Sequence, residues 1–171
     1  MEIPILTRTQ DGDPRSPVRR LTEETFGLIY WSNTVIGHAV ALSVAMADMS
    51  WAPEFQRRLF RAGQDVDHAT YRVTADDVRW IRGWRVQWEA LVLPQPGFIL
   101  PGGTAAAARW QEAAAMLMQS RRLLARLARR TPINARVAEF LDESAFACFV
   151  QGRVINRKAG HPEIPVIDPN A

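Results

Sequence analysis

Apolar residues along this chain recur at helical spacing in five blocks, and no stretch alternates with the period of two that marks a half-buried strand. From Glu23 to Met49 the chain is apolar nearly all round (Ile29, Val35, Ile36, Val40, Leu42, Val44), which predicts a helix buried on several sides. A second helix is expected from about Pro53, a favourable first-turn residue, to Asp65, with Phe55, Leu59 and Phe60 inward. Thr74-Ala75-Asp76-Asp77 offers an N-cap followed by first-turn acids and opens a third helix to about Leu91. Pro94, Pro96 and Gly97 break the chain. Thr104 then caps a fourth helix that ends near Arg129-Arg130, and Pro132 restarts a fifth that runs to about Lys158. Five helices with short connections predict an all-α bundle.

The expected organisation is an N-terminal arm or loop over residues 1–22 and a bundle domain over 23–158. Residues 159–171, with Pro162, Pro165 and Pro169, read as an extended or disordered tail. Trp80, Trp84 and Trp88 recur every four residues and therefore share one helix face. Core or interface packing is the plain reading of that face, and a ligand-stacking ladder is the sharper one.

Composition narrows the class. At 171 residues, 47% apolar and 23% charged, the chain can bury a sizeable core as one domain. No charged-then-apolar leader and no apolar run of membrane-spanning length are visible, so neither secretion nor insertion is expected. The single cysteine, Cys148, lies in an apolar segment, which fits a reduced, cytoplasmic compartment. The net charge of +3 is carried almost wholly by arginine, with Lys158 the sole lysine. Arginines and acids alternate, as in Asp76-Asp77-Val78-Arg79, so a solvated surface is expected and nucleic-acid binding is not. His38, His68 and His161 are scattered without ligand spacing, and no metal site is expected.

Five motifs in fixed order carry a more specific message. They are the arm Thr7-Arg8-Thr9-Gln10-Asp11, then Phe26-Gly27 with Asn33, Ile36 and Gly37, then Gln56 to Phe60 with Gly63. Next come Phe98-Ile99-Leu100-Pro101-Gly102-Gly103 and finally Phe140-Leu141 with Phe149 and Arg153. Together they resemble the propanediol-utilisation type of ATP:cob(I)alamin adenosyltransferase over most of the chain, from near Thr7 to near Arg153. The resemblance implies a five-helix bundle that forms homotrimers, with sites between subunits for ATP/Mg and cobalamin. The family reaction is adenosyl transfer from ATP to the cobalt of a reduced corrinoid.

Site residues follow by resemblance, position by position. Phe98 stands where the family has the aromatic that displaces the lower axial ligand of the corrinoid, though an aromatic packing under the loop would look the same. Asn33 and Phe149 join it as corrinoid-binding positions. Thr7, Arg8, Thr9 and Asp11 match the nucleotide-binding arm. Gly102, Gly103 and Thr104 suit an anion at a helix N-terminus, and Thr104 equally suits ordinary N-capping.

The phosphate machinery departs from the family pattern. The arm carries Gln10 and Asp13 and has no lysine. Tyr30 and Trp31 replace an acidic pair on the first helix, and Gln111, Ala114, Met118 and Gln119 replace a histidine and three arginines on the fourth. Asp142, Glu143, Ala145 and Phe146 replace a polar set on the fifth. Each cation–phosphate bond is worth about 1.5–3 kcal/mol, so binding by the family mode is weakened. Arg121 and Arg122, with Arg126, are alternative phosphate contacts or else a solvated basic face. Three functions therefore stand open: a transferase with re-sited phosphate contacts, a non-catalytic corrinoid- or small-ligand-binding trimer, and a structural partner of an active adenosyltransferase.

Overall fold

The computed structural model describes residues 16–67, 71–95 and 97–166. These form five helices, α1 (Pro17–Ser43), α2 (Ala52–Asp67), α3 (Ala75–Glu89), α4 (Ala105–Leu127) and α5 (Ala135–Lys158). Helix α4 lies between α1 and α5, with α2 packed mainly on α1 and α3 on α5. None of the helices is long and apolar enough to cross a membrane.

Caps explain most of the boundaries. Thr74 and Asp77 form a reciprocal capping box at the start of α3, as their spacing predicts. Thr104 caps α4 by accepting from the Ala107 N–H. Two starts differ from expectation. Helix α1 begins six residues before Glu23, because Ser16 accepts from the Arg19 N–H and Pro17 supplies a pre-set first turn. Helix α5 begins at Ala135 rather than Pro132, because Asn134 is the cap. The Asn134 carboxamide also donates to the buried Asp65 carboxylate and to the Val73 carbonyl, tying α5 to the end of α2 and the α2–α3 connection.

The expected helix to Met49, buried on several sides, is corrected: α1 ends at Ser43 and buries one face through Leu21, Ile29, Val35, Ile36 and Ala39, whereas Tyr30, Trp31, Leu42 and Val44 are exposed. The tryptophan face of α3 packs inward, as the plain reading has it. Trp84 stacks on Trp88 at 5.7 Å, and both meet Trp51 from the start of α2. Trp51 in turn stacks on Trp110 of α4, whose indole N–H is held by Ser43 of α1. One aromatic cluster thus locks four helices.

The tail over 161–166 is extended and pinned. Ile99 and Pro165 form an antiparallel bridge, with Leu100 N–H donating to the Ile164 carbonyl and Val166 N–H to the Phe98 carbonyl.

Candidate functional site

The segment from Phe98 to Thr104 is held from three sides. Its backbone is bridged to the tail on one edge. On the other, the buried Asn156 of α5 accepts from the Thr104 N–H at 3.0 Å and donates to the Gly102 carbonyl at 2.9 Å. Gln111 of α4 accepts from the Gly102 N–H. Gly102 and Gly103 both have positive φ, and a Cβ at Gly103 would overlap the Asn156 carboxamide, so glycine is required there. The N–H groups of Gly102 and Thr104 are therefore engaged by the protein's own acceptors.

What this framework presents is Phe98, whose side chain is 85% exposed. An aromatic so exposed on so constrained a backbone is not packing under its own loop. Beside it the α3–α4 connection is fixed by the buried Arg153, which donates to the Leu93 carbonyl and forms a two-pronged ion pair with Glu163 of the tail. Arg153 is shared by two contiguous grooves. One, of about 320 Å³, is lined by Leu93, Phe146 and Phe149; the other, of about 510 Å³, is lined by Arg157, His161 and Glu163.

Other expected site residues lie elsewhere. The Asn33 carboxamide donates to the Gln56 carbonyl, and the Gln56 side chain donates back to the Asn33 carbonyl, joining α1 to α2. The Asn33 Oδ1 is buried without a partner among the described residues. Arg121 pairs with Asp142 of α5 at 3.1 Å, and Arg122 is exposed beside Gln119. At 1.5 Å per residue, these arginines sit roughly 25 Å along α4 from Thr104. One copy of the chain does not bring them to Phe98. Thr7, Arg8, Thr9 and Asp11 lie outside the described residues.

The middle of the bundle presents a second surface. The Ser43–Trp110 and Arg121–Asp142 contacts join α1 and α5 to α4. Trp31 is 60% exposed, Met118 50% and Phe146 61%. Its neighbour Tyr30 meets Phe60 edge-on at 6.5 Å. Exposed apolar residues on three adjacent helices suit a protein–protein contact more than a solvated face.

In the sequence Gln111 reads only as a replaced residue, and Asn156 and Glu163 carry no site signal. No local signal marks Asn156 or Glu163, because each acts on a segment at least ten residues away. Burial raises the Cys148 thiol well above its ordinary value, so it is inert in the folded chain. Among the described residues, no group of three His, Cys, Asp or Glu side chains converges as metal ligands would.

Residues 8–155 match the family model described as cobalamin adenosyltransferase. No curated protein matches the chain. Among solved structures, it is similar to an arginine-to-lysine variant of a PduO-type ATP:corrinoid adenosyltransferase from Lactobacillus reuteri, complexed with ATP. That match has 20% identity and a TM-score of 0.78, over 90% of this chain and 89% of that one. A phenylalanine-to-alanine variant of the same kind of enzyme, complexed with cobalamin and ATP, matches at 20% identity and TM-score 0.75 over 91% and 88% of the two chains.

Proposed function

The chain belongs to the cobalamin adenosyltransferase family, and on that premise we propose that it binds a corrinoid against Phe98 and transfers adenosyl to it from ATP. The observation that carries this reading is the 85% exposure of Phe98 on a backbone fixed by Asn156, Gln111 and the tail. A rigidly presented aromatic loses little side-chain freedom when a flat macrocycle covers it, so its contact area converts more fully into binding. Similar structures bound to ATP and cobalamin support the substrate assignment.

Each subunit would contribute in parts. Phe98 would pack against the corrinoid and favour the form of its cobalt that is more easily reduced. Phe149, with Leu93 and Phe146, lines the adjoining apolar groove. Asn33 belongs to the same proposed corrinoid set, at the α1–α2 contact, and its unpartnered Oδ1 is a spare acceptor. MgATP falls to the arm residues Thr7, Arg8, Thr9 and Asp11 and to Arg121 and Arg122. The Gly102–Thr104 turn supports the site mainly as a scaffold, since two of its N–H groups are already engaged. Because Arg121 and Phe98 are far apart within one chain, the complete site lies between subunits of a homotrimer. The α1–α4–α5 face carrying Trp31, Met118 and Phe146 is the proposed contact. The proposed arm ends where α1 begins, at Pro17 rather than near residue 22, and the bundle domain ends near residue 158, with the tail acting as a strap.

The test is adenosylation of chemically reduced cobalamin by the purified protein with MgATP, followed by visible absorbance of the cobalt–carbon product. Saturable formation is expected, and its absence at millimolar ATP overturns the transferase reading. A second reading, a non-catalytic corrinoid-binding trimer, is favoured by the exchange of charge for stacking surface at Tyr30, Trp31 and Phe146. Cobalamin binding unaffected by ATP would select it.

A further inference from the structure

Helix α5 ends in a turn that sends the chain back toward the Phe98 loop. Gly160 takes a φ of 72°, its N–H donates to the Arg157 carbonyl, and the His161 N–H donates to the Asn156 carbonyl. Such a reversal needs a left-handed residue, which glycine supplies. Pro162 and Pro165 keep the following segment extended, because each fixes its own φ and disfavours helix in the residue before it. The tail meets the loop through Ile164 to Val166, past residue 155, where the family match ends.

Contact between tail and loop is thin. The Leu100 N–H donates to the Ile164 carbonyl and the Val166 N–H to the Phe98 carbonyl, both at 2.8 Å. Ile164, Pro165 and Val166 are all exposed, so little apolar burial holds the tail down. An isolated two-stranded ribbon is marginal in water, and this one has to be anchored from outside.

Glu163 is that anchor. Its carboxylate accepts two bonds from Arg153, at 2.5 and 3.0 Å. The Arg153 side chain is only 7% exposed and also donates to the Leu93 carbonyl, ahead of Phe98 in the chain. A guanidinium paired with both carboxylate oxygens fixes direction as well as distance. Arg153 thereby ties the connection that leads into Phe98 to the strand that bonds to it. The loop is held in two separable parts. Asn156 and Gln111 hold Gly102 to Thr104, and the tail holds Phe98 to Leu100.

We propose that Glu163 is a positioning residue for Phe98: through Arg153 it latches the tail as the strand that fixes the Phe98 backbone before a ligand arrives. The identity of that ligand rests on the corrinoid reading, whereas the latch does not. Glu163 touches no substrate in this role. It removes beforehand the freedom that Phe98 would otherwise lose on binding.

Two full-length variants test this. In Glu163→Ala, hydrogen exchange followed by NMR should be about tenfold or more faster at the Leu100 and Val166 amides. The Thr104 amide, held by Asn156, should keep its wild-type rate and so report on folding within the same molecule. Val166→Pro removes the donor to the Phe98 carbonyl from an exposed position and leaves the ion pair untouched. In visible titrations with cobalamin, both variants should bind about three- to tenfold more weakly than the wild type. Unchanged Leu100 exchange in Glu163→Ala, or Thr104 accelerated by the same factor, overturns the latch. Wild-type cobalamin affinity in both variants overturns the positioning role. A wild-type protein that binds no cobalamin overturns the corrinoid reading instead, and the exchange contrast then decides the latch alone.

Discussion

The Phe98–Thr104 loop and the α1–α4–α5 face both carry exposed aromatic residues, but they hold them differently. At the loop, two positive-φ glycines, Asn156, Gln111, Arg153 and Glu163 determine the backbone, so Phe98 is presented by a network beneath it. On the helical face, Trp31, Met118 and Phe146 are displayed simply by their helix positions. The first arrangement stores its cost in buried polar groups that cannot be changed singly. The second can exchange one side chain for another with little effect on the fold. This difference suits a chain whose Phe98–Gly103 motif is contiguous while its helical face carries apolar side chains.

The largest effects should come from breaking the network. Asn156→Leu leaves the Thr104 N–H and the Gly102 carbonyl without their partner, and should cost about 2–4 kcal/mol, read as a fall in denaturant midpoint. Gly103→Ala demands a left-handed backbone and overlaps the Asn156 carboxamide; about 1–3 kcal/mol is expected. Both should release the Thr104 amide, which Asn156 holds, to hydrogen exchange. If exchange stays slow in both, the loop is held by something other than Asn156.

A smaller effect should mark the strut beside the exposed face. Glu143 of α5 accepts from Arg82 and Arg85 of α3 at 2.7 and 2.8 Å. Burial alone would raise its carboxyl, but the bonds from the two arginines outweigh burial and hold it below its ordinary 4.5. A carboxyl lowered in the folded state contributes stability above its ordinary value and loses it as pH falls through the lowered one. Glu143→Gln should therefore cost about 1–2 kcal/mol at pH 7 and flatten the acid limb of stability against pH. An unchanged acid limb would assign that limb to other carboxyls, of which Asp77, lowered against burial by Thr74 and Arg58, is the first to try.

Much of this contrast was legible in the chain, and its limits are physical. Capping signals such as Thr74 with Asp77, and Thr104, are local, and they placed two helix starts correctly. Ser16-Pro17 is an equally local signal, yet the surrounding prolines and glycine made the segment read as loop. The loop motif was visible because its glycines are contiguous. Its supports were not, because Asn156 is 52 residues from Thr104 and only the folded bundle brings them together. Nor does periodicity distinguish an inward tryptophan from one displayed on the surface: Trp110 is wholly buried, while Trp31 is mostly exposed.

On the exposed face the expectation reverses: substitutions should barely touch stability yet change assembly. Phe146→Asp is expected within about 0.5 kcal/mol of the wild type by thermal unfolding of the isolated subunit. It should convert the proposed trimer to monomer by light scattering, and a trimer that survives would move the contact to another face.

The smallest stability effect is expected at Arg121, and it bears most directly on the chemistry. Its pair with Asp142 is largely solvated, and exposed ion pairs contribute about 0–1 kcal/mol. Arg121→Ala should thus leave unfolding nearly unchanged. If Arg121 meets phosphate across a subunit boundary, the same substitution should weaken MgATP binding at least tenfold by calorimetry, the loss of one charge-assisted bond of about 1.5–3 kcal/mol. Asp142→Asn should then do the opposite, because it removes the carboxylate that competes with phosphate for the guanidinium. Equal MgATP affinity in all three proteins would reduce Arg121 to an ordinary surface partner of Asp142 and leave the phosphates to Arg122 and the N-terminal arm.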